Sequence, residues 1–500
     1  MSRRTPIVTL LPLDDRPVNT GHVAGLAGIA GTRLRLPPAE LLPPRGAPAD
    51  MDGTARWLER SAAGSDAVVV SVNQLAYGGF VASRRTAEPL ARTLARLDVL
   101  RRIRAERPAL GVHAFVTLMR TKRFDGAGAE PEYWDRYGRR FFTLSEETYR
   151  AEHGRPSAAE QARATIPAPF VADFFTRRMR LHAMQLACVE LVMEGVVDTL
   201  SILVEDSTVE SVSTGEREWL ENWIARLGAG DRVRCLPGAD EAGAVLTTRA
   251  ALEHAGLRPR VAVVCLDPDA LRRIAPYEDV PVRDTVAGQV AAVGAELVDD
   301  AGRADLVLAV HPPGAPPRDW CAWPDVPERA GDDAARLAAR LRDQVDAGRL
   351  VAVADVADAN GADPALITAL RDAGLLRRLA GYAGWNTAGN TIGSALAQGC
   401  SRLLATDDRQ LVEHARTVTH RLVDDWGYQT SARREVLAAG TADGGGRIHR
   451  VARELDDRLA ELGPPAGDFR IVPGSVCFPW DRPFEISFEL EHLEERNDHL

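Results

Sequence analysis

Residues 199–208 read TLSILVEDST: a mostly apolar, β-branched run, then two adjacent acids and two hydroxyl residues. The run is continuous rather than alternating, which is the pattern of a parallel strand covered on both faces. Working outward, similar runs occur at 7–13, 67–72, 112–118, 261–266, 306–310 and 350–354, with shorter ones at 233–236 and 379–383. Amphipathic stretches at 89–107, 173–193, 241–255 and 333–347 lie between them. Strand, helix, strand repetition predicts an α/β fold. Eight or nine strand candidates point to a (β/α)8-type barrel with insertions. The alternative is two doubly wound α/β lobes, divided near residues 257–260. The barrel reading makes 1–406 a catalytic α/β barrel with an insertion at about 124–169, rich in Tyr, Trp and Phe. Residues 407–500 then form a helical segment and a C-terminal β extension packed on the barrel.

Composition narrows the chemistry. The 500 residues carry 61 basic and 71 acidic side chains, a net charge of −10, which argues against nucleic acid as the main partner. Lys122 is the one lysine, so a Gly-Lys-Ser/Thr phosphate loop is excluded and a lysine Schiff base has one candidate. No window reaches about 18 uninterrupted apolar residues, so no membrane-spanning helix is expected. The start, MSRRTPIVTLLPLDDRP, lacks the long apolar core of a signal peptide. Six cysteines without a Cys-x-x-Cys pair read as reduced, buried thiols of a cytoplasmic protein. No cofactor and no resident metal is expected, and oligomeric state is not legible.

Both architectures place working residues just past the carboxyl ends of strands. The first run is followed by Asp14, Asp15 and Arg16, the second by Asn73, Gln74 and Tyr77 ahead of two glycines. The third is followed by Arg120, Lys122 and Arg123, which suit a carboxylate or phosphate, with a solvated face as the plainer reading. Glu205 and Asp206 close the fourth. A desolvated carboxylic acid beside a carboxylate is an arrangement that glycoside hydrolysis uses, whereas a plain reading makes Asp206 or Ser207 a helix cap. Asp240 and Glu241 open a helix, where the dipole favours acids. Residues 384–391, GWNTAGNT, supply Trp385 for stacking on a sugar ring and Asn386 and Asn390 for its hydroxyls.

LPLDDRPVN at 11–19, GADE at 238–241 and GWNTxxNT at 384–391 resemble the motifs of a bacterial domain-of-unknown-function family. That resemblance spans nearly the whole chain and implies no activity. A second resemblance, carried by Glu205-Asp206 and Trp385-Asn386, is to hyaluronidase-like, O-GlcNAcase-type β-N-acetylglucosaminidases. It implies that Glu205 orients a substrate acetamido group and Asp206 is the general acid/base. The departure is Glu for Asp at the first acid, which displaces the carboxylate by a methylene.

The expected function is therefore a glycoside hydrolase acting on a small glycoside or oligosaccharide, N-acetylhexosamine-containing in one version. Asp206 and Glu205 are catalytic, and Asp14, Asp15, Arg16, Asn73, Tyr77, Asp240, Trp385, Asn386 and Asn390 bind the sugar. One alternative is a divalent-metal hydrolase or phosphoryl-processing enzyme with Asp14, Asp15, Asp206 and Asp355 as hard ligands. Another is a non-catalytic sugar- or nucleotide-binding protein.

Overall fold

A computed structural model describes residues 4–44, 47, 49–321, 331–438, 444–463 and 466–493. The chain divides into two compact units. Unit 1 comprises Met1–Asp15, Arg33–Ala250 and Tyr277–Val280; unit 2 comprises Arg16–Thr32, Ala251–Pro276 and Pro281–Leu500.

Unit 1 is built on a six-stranded sheet of β1 (Ile7–Leu11), β2 (Arg33–Arg35), β3 (Ala67–Ser71), β4 (Gly111–Leu118), β5 (Thr199–Val204) and β6 (Val233–Pro237). Its order is β2-β1-β3-β4-β5-β6, and every neighbouring pair is parallel. β3 and β5 are buried at every position, so their continuous apolar runs are explained by cover on both faces. Each fully buried valine or leucine there contributes about 1.5–3 kcal/mol.

Unit 2 contains β7 (Arg260–Val264), β8 (Glu296–Val298), β9 (Leu306–His311), β10 (Arg318–Asp319), β11 (Leu350–Asp355), β12 (Asp358–Ala359) and β13 (Gly381–Ala383). The main sheet runs β13-β11-β9-β7-β8, all parallel, while β10 pairs with β12. β14 (Phe469–Ile471) and β15 (Leu490–His492) form an antiparallel pair, the strands expected in the tail.

Counted along the chain, the first five strands of unit 1 and the five of the unit 2 main sheet follow the same order, 2-1-3-4-5. It is the order of one common doubly wound α/β sheet. The α/β class is thus observed, in two parallel sheets. The closed eight-stranded barrel is not what these pairings show: after β6 the chain starts a second sheet. β6 ends at Pro237 and β7 begins at Arg260, which brackets the division at 257–260 that the two-lobed alternative places there.

The insertion after β4 forms the helices Trp134–Glu152 and Ala159–Ala164. Several of its aromatic side chains pack together: Trp134 stacks on Phe141 at 4.9 Å and Tyr133 on Phe170 at 4.9 Å, while Phe124 is exposed. All six cysteines are free thiols, but only Cys188 and Cys400 are buried, correcting the expectation of a buried set. Cys235, for example, lies on the edge strand β6. Among the described residues no helix is long and apolar enough to cross a membrane.

Candidate functional site

At the carboxyl end of the unit 1 sheet, β4 leads into Arg120 and β5 into Glu205 and Asp206. Two residues far away in sequence join them. Arg84 lies in the last turn of helix Phe80–Arg85, and Glu130 comes from the loop before helix Trp134–Glu152. Arg84 donates through Nη2 to both oxygens of Glu205 and lies 3.5 Å from Glu130. Arg120 donates from Nε to Glu130 at 2.9 Å and from Nη1 to Asp206 at 2.5 Å, with Glu205 at 3.2 Å. The buried Arg178 steadies this arginine by donating to its carbonyl at 3.2 Å.

Two guanidiniums thus face three carboxylates, leaving one negative charge in excess. Glu205 departs from its ordinary range. Burial pushes its carboxyl up to about 7; Arg84 and Arg120 oppose the shift, while Asp206 and Glu130 add to it. Burial also works against the Glu130 carboxylate, but Arg120 and Arg84 outweigh it and hold that group below the usual range. Asp206 is the open member of the set, with 29% of its side chain exposed against 9% for Glu205.

Asp206 also has a left-handed backbone, φ 40°, which is costly for a residue with a Cβ. Ser207 helps fix it by donating its N–H to the carbonyl of Tyr277 at 2.8 Å. Neither residue caps the next helix. Helix Val212–Arg226 is capped by Ser211, whose hydroxyl accepts from the Thr214 N–H at 3.1 Å. The plain explanation for two acids at this strand end therefore falls away.

The remaining expected residues of unit 1 differ in placement. Asp14 and Asp15 follow β1 and Asp240 follows β6, all at the same sheet edge; Asp14 and Asp240 are buried and Asp15 is half-buried. Asn73 is fully buried and donates from Nδ2 to Ser83 at 3.1 Å and Thr117 at 2.8 Å, while its Oδ1 accepts the Thr117 N–H at 2.9 Å. Those bonds brace β3 against β4. Tyr77 is buried in the unit 1 core cluster.

In unit 2, Arg16 donates to Glu485 at 2.9 Å and lies 4.9 Å from the Trp480 ring. Trp385 is buried, with the Arg421 guanidinium 5.7 Å from its ring. Asn386 adopts φ 71° and its carbonyl accepts from the Asn360 N–H at 2.8 Å. Asn390 donates to the Thr387 hydroxyl at 3.0 Å. Asp355, at the end of β11, accepts from the Asp363 N–H at 2.7 Å and the Tyr382 hydroxyl at 3.2 Å; His311 pairs with Asp363 at 3.0 Å. Burial pushes Asp355 up to about 6, with His311 opposing and Asp363 adding. Asp424 and Asp425 lie in an unusual π-helical segment, Val423–Ala432, a local form that recurs at functional sites.

Arg84 and Glu130 were not singled out by sequence, and Arg120 only as part of a cation cluster. Arg84 and Glu205 are 121 residues apart, and no local pattern links them. Among the described residues no group of three or more His, Cys, Asp or Glu side chains is placed to share a metal ion.

No curated protein and no solved structure matches this chain. A family model described as "Protein of unknown function (DUF4127)" matches residues 8–489, nearly the full length, and the chain belongs to that family.

Proposed function

We propose that this protein is a hydrolase that cleaves a small glycoside by carboxyl acid/base chemistry at the carboxyl edge of the unit 1 sheet. Asp206 is the proton donor to the leaving oxygen, because it is the solvent-reaching acid of the cluster. Glu205 is its positioning and tuning partner. Both Glu205 oxygens are bonded by Arg84, so contact with a substrate acetamide would require Arg84 to yield. The carrying observation is the Glu205–Asp206 pair itself. One acid is buried and titrates near neutrality, the other is open and strained, and a single guanidinium bridges them. Glu205, poised near the working pH, holds a proton beside Asp206 for the general acid to draw on. Net charge −10 supports a small neutral substrate over a polyanion.

A second reading, a non-catalytic sugar-binding protein of two α/β lobes, is favoured by the repeated 2-1-3-4-5 strand order. It expects saturable binding without turnover. A panel of aryl glycosides, the N-acetylglucosaminide included, separates the two. Turnover that survives chelation and drops by about 10²–10⁴-fold in Asp206→Asn supports the hydrolase. Silence across the panel, with a sugar still bound, supports the binding protein.

A further inference from the structure

Unit 2 holds a cavity of about 520 Å³, within the usual range for small-molecule sites. Its walls come from helix Gly21–Ile29, helix Asp408–Leu422, residues 485–490 and Trp385. Trp385 is 5% exposed and its indole N–H has no hydrogen-bond partner; the buried Nε2 of His22 likewise has none. Buried donors and acceptors are normally satisfied, so two orphans on the wall of one cavity are informative. Phe488 adds a second aromatic surface, stacked on His420 at 4.2 Å.

The charges on the wall define what fits. Arg416 is bonded to Glu413, and Arg421 to Asp425 and, at 3.2 Å, to Asp424. Glu485 receives Arg16, and Glu489 adds another carboxylate. The lining therefore carries four acids against two arginines. The histidines do not restore the balance. Burial, then Arg421 and His420, holds His22 well below its usual range, and burial with Arg421 drives His420 down to about 3. Both rings are neutral at pH 7. Both lining arginines are already engaged by carboxylates, which leaves a phosphate or carboxylate ligand to compete with those pairs. A hydroxyl-rich ring instead finds apolar aromatic walls, an indole donor, carboxylate acceptors and the hydroxyls of Thr20, Thr417 and Ser487.

We propose that this cavity is a binding site for a sugar ring that carries no anionic group, either uncharged or bearing an amine. The site lies within unit 2 and does not rest on the unit 1 chemistry.

Isothermal titration of the full chain with D-glucose, D-glucosamine and N-acetyl-D-glucosamine tests it, with glucose 6-phosphate as the anionic probe. Two variants locate the binding. Gly21 lines the cavity, and a Cβ built on it meets nothing within 4 Å, so Gly21→Leu adds an apolar side chain at the cavity wall. Trp385→Phe keeps the ring and removes the N–H. Saturable heat is expected from at least one of the three sugars, weakened about tenfold or more in both variants, a loss of at least about 1.4 kcal/mol. Glucose 6-phosphate is expected to bind about tenfold more weakly than glucose, or not at all. Should Trp385→Phe unfold, Gly21→Leu alone decides. No saturable heat from any of the three sugars overturns the proposal, as does equal or tighter binding of glucose 6-phosphate. So does heat that persists in Gly21→Leu but vanishes in Asp206→Asn, since that pattern puts the binding in unit 1; loss of catalysis alone in Asp206→Asn leaves the cavity proposal standing.

Discussion

Two buried acid clusters stand at strand ends in two sheets of the same order, and they are held in opposite ways. Glu205 in unit 1 is surrounded by full charges, Arg84, Arg120, Asp206 and Glu130, and its neighbour Asp206 reaches solvent. Asp355 in unit 2 is 1% exposed and is satisfied by a backbone N–H, a tyrosine hydroxyl and a neighbouring His–Asp pair. Both carboxyls titrate above their ordinary range because both are desolvated. A raised pKa therefore does not by itself mark chemistry. What separates the clusters is access: one presents an open acid tied to the buried one, while the other is sealed and ties β11 to β13 through Tyr382.

The largest effect that would sharpen this contrast is on stability. Asp355→Ala strands the Tyr382 hydroxyl and the Asp363 N–H in the core. At about 1–3 kcal/mol for each orphaned group, urea unfolding should show a loss of about 3 kcal/mol or more. A loss under about 1 kcal/mol would mean that the network is not a structural tie.

Next comes a pH effect from unit 1. The folded-state pKa of Glu205, about 7, lies above its ordinary 4.5. The folded state thus holds a proton that the unfolded chain releases. The group's stabilising share is complete below pH 4.5 and is lost as pH rises to about 7. The stability of the protein relative to Glu205→Gln should fall by roughly 3 kcal/mol across that window. A difference that does not change with pH breaks the assignment of Glu205 as the desolvated member of the cluster that holds a proton near neutrality.

The smallest expected effect tests why two acids end β5 at all. Ser211→Ala should cost about 1 kcal/mol as a lost helix cap. Ser207→Ala should cost less, because Ser207 does not cap. Equal losses, measured by thermal unfolding, would return residues 205–207 to a capping role.

Most strands were legible because their runs are continuous and apolar: 199–204 is β5 without adjustment, and eight others shift by a few residues at most. In the two main sheets, two strands were not legible, β2 (RLR) and β8 (ELV). They are three-residue strands at the edges of their sheets, exposed and carrying charge, which is how edges are protected from mispairing. Missing them hid the repeated strand order and let the count suggest one barrel. At the site, Asp206 and Glu205 were visible because acids following a buried strand stand out locally. Arg84 and Glu130 were not, because long-range ion pairing leaves no periodic trace. Asn73 was visible as an amide beside glycines, but only tertiary structure shows its hydrogen bonds spent on Ser83 and Thr117.

The most direct measurement is kcat/KM, per folded molecule, for Asp206→Asn and Asp355→Asn side by side on whichever aryl glycoside the wild-type protein turns over. The expected result is a loss of about 100-fold or more in Asp206→Asn with its melting temperature kept, and activity within about twofold of wild type in Asp355→Asn. The reverse pattern, an active Asp206→Asn and a folded but inactive Asp355→Asn, would contradict the account.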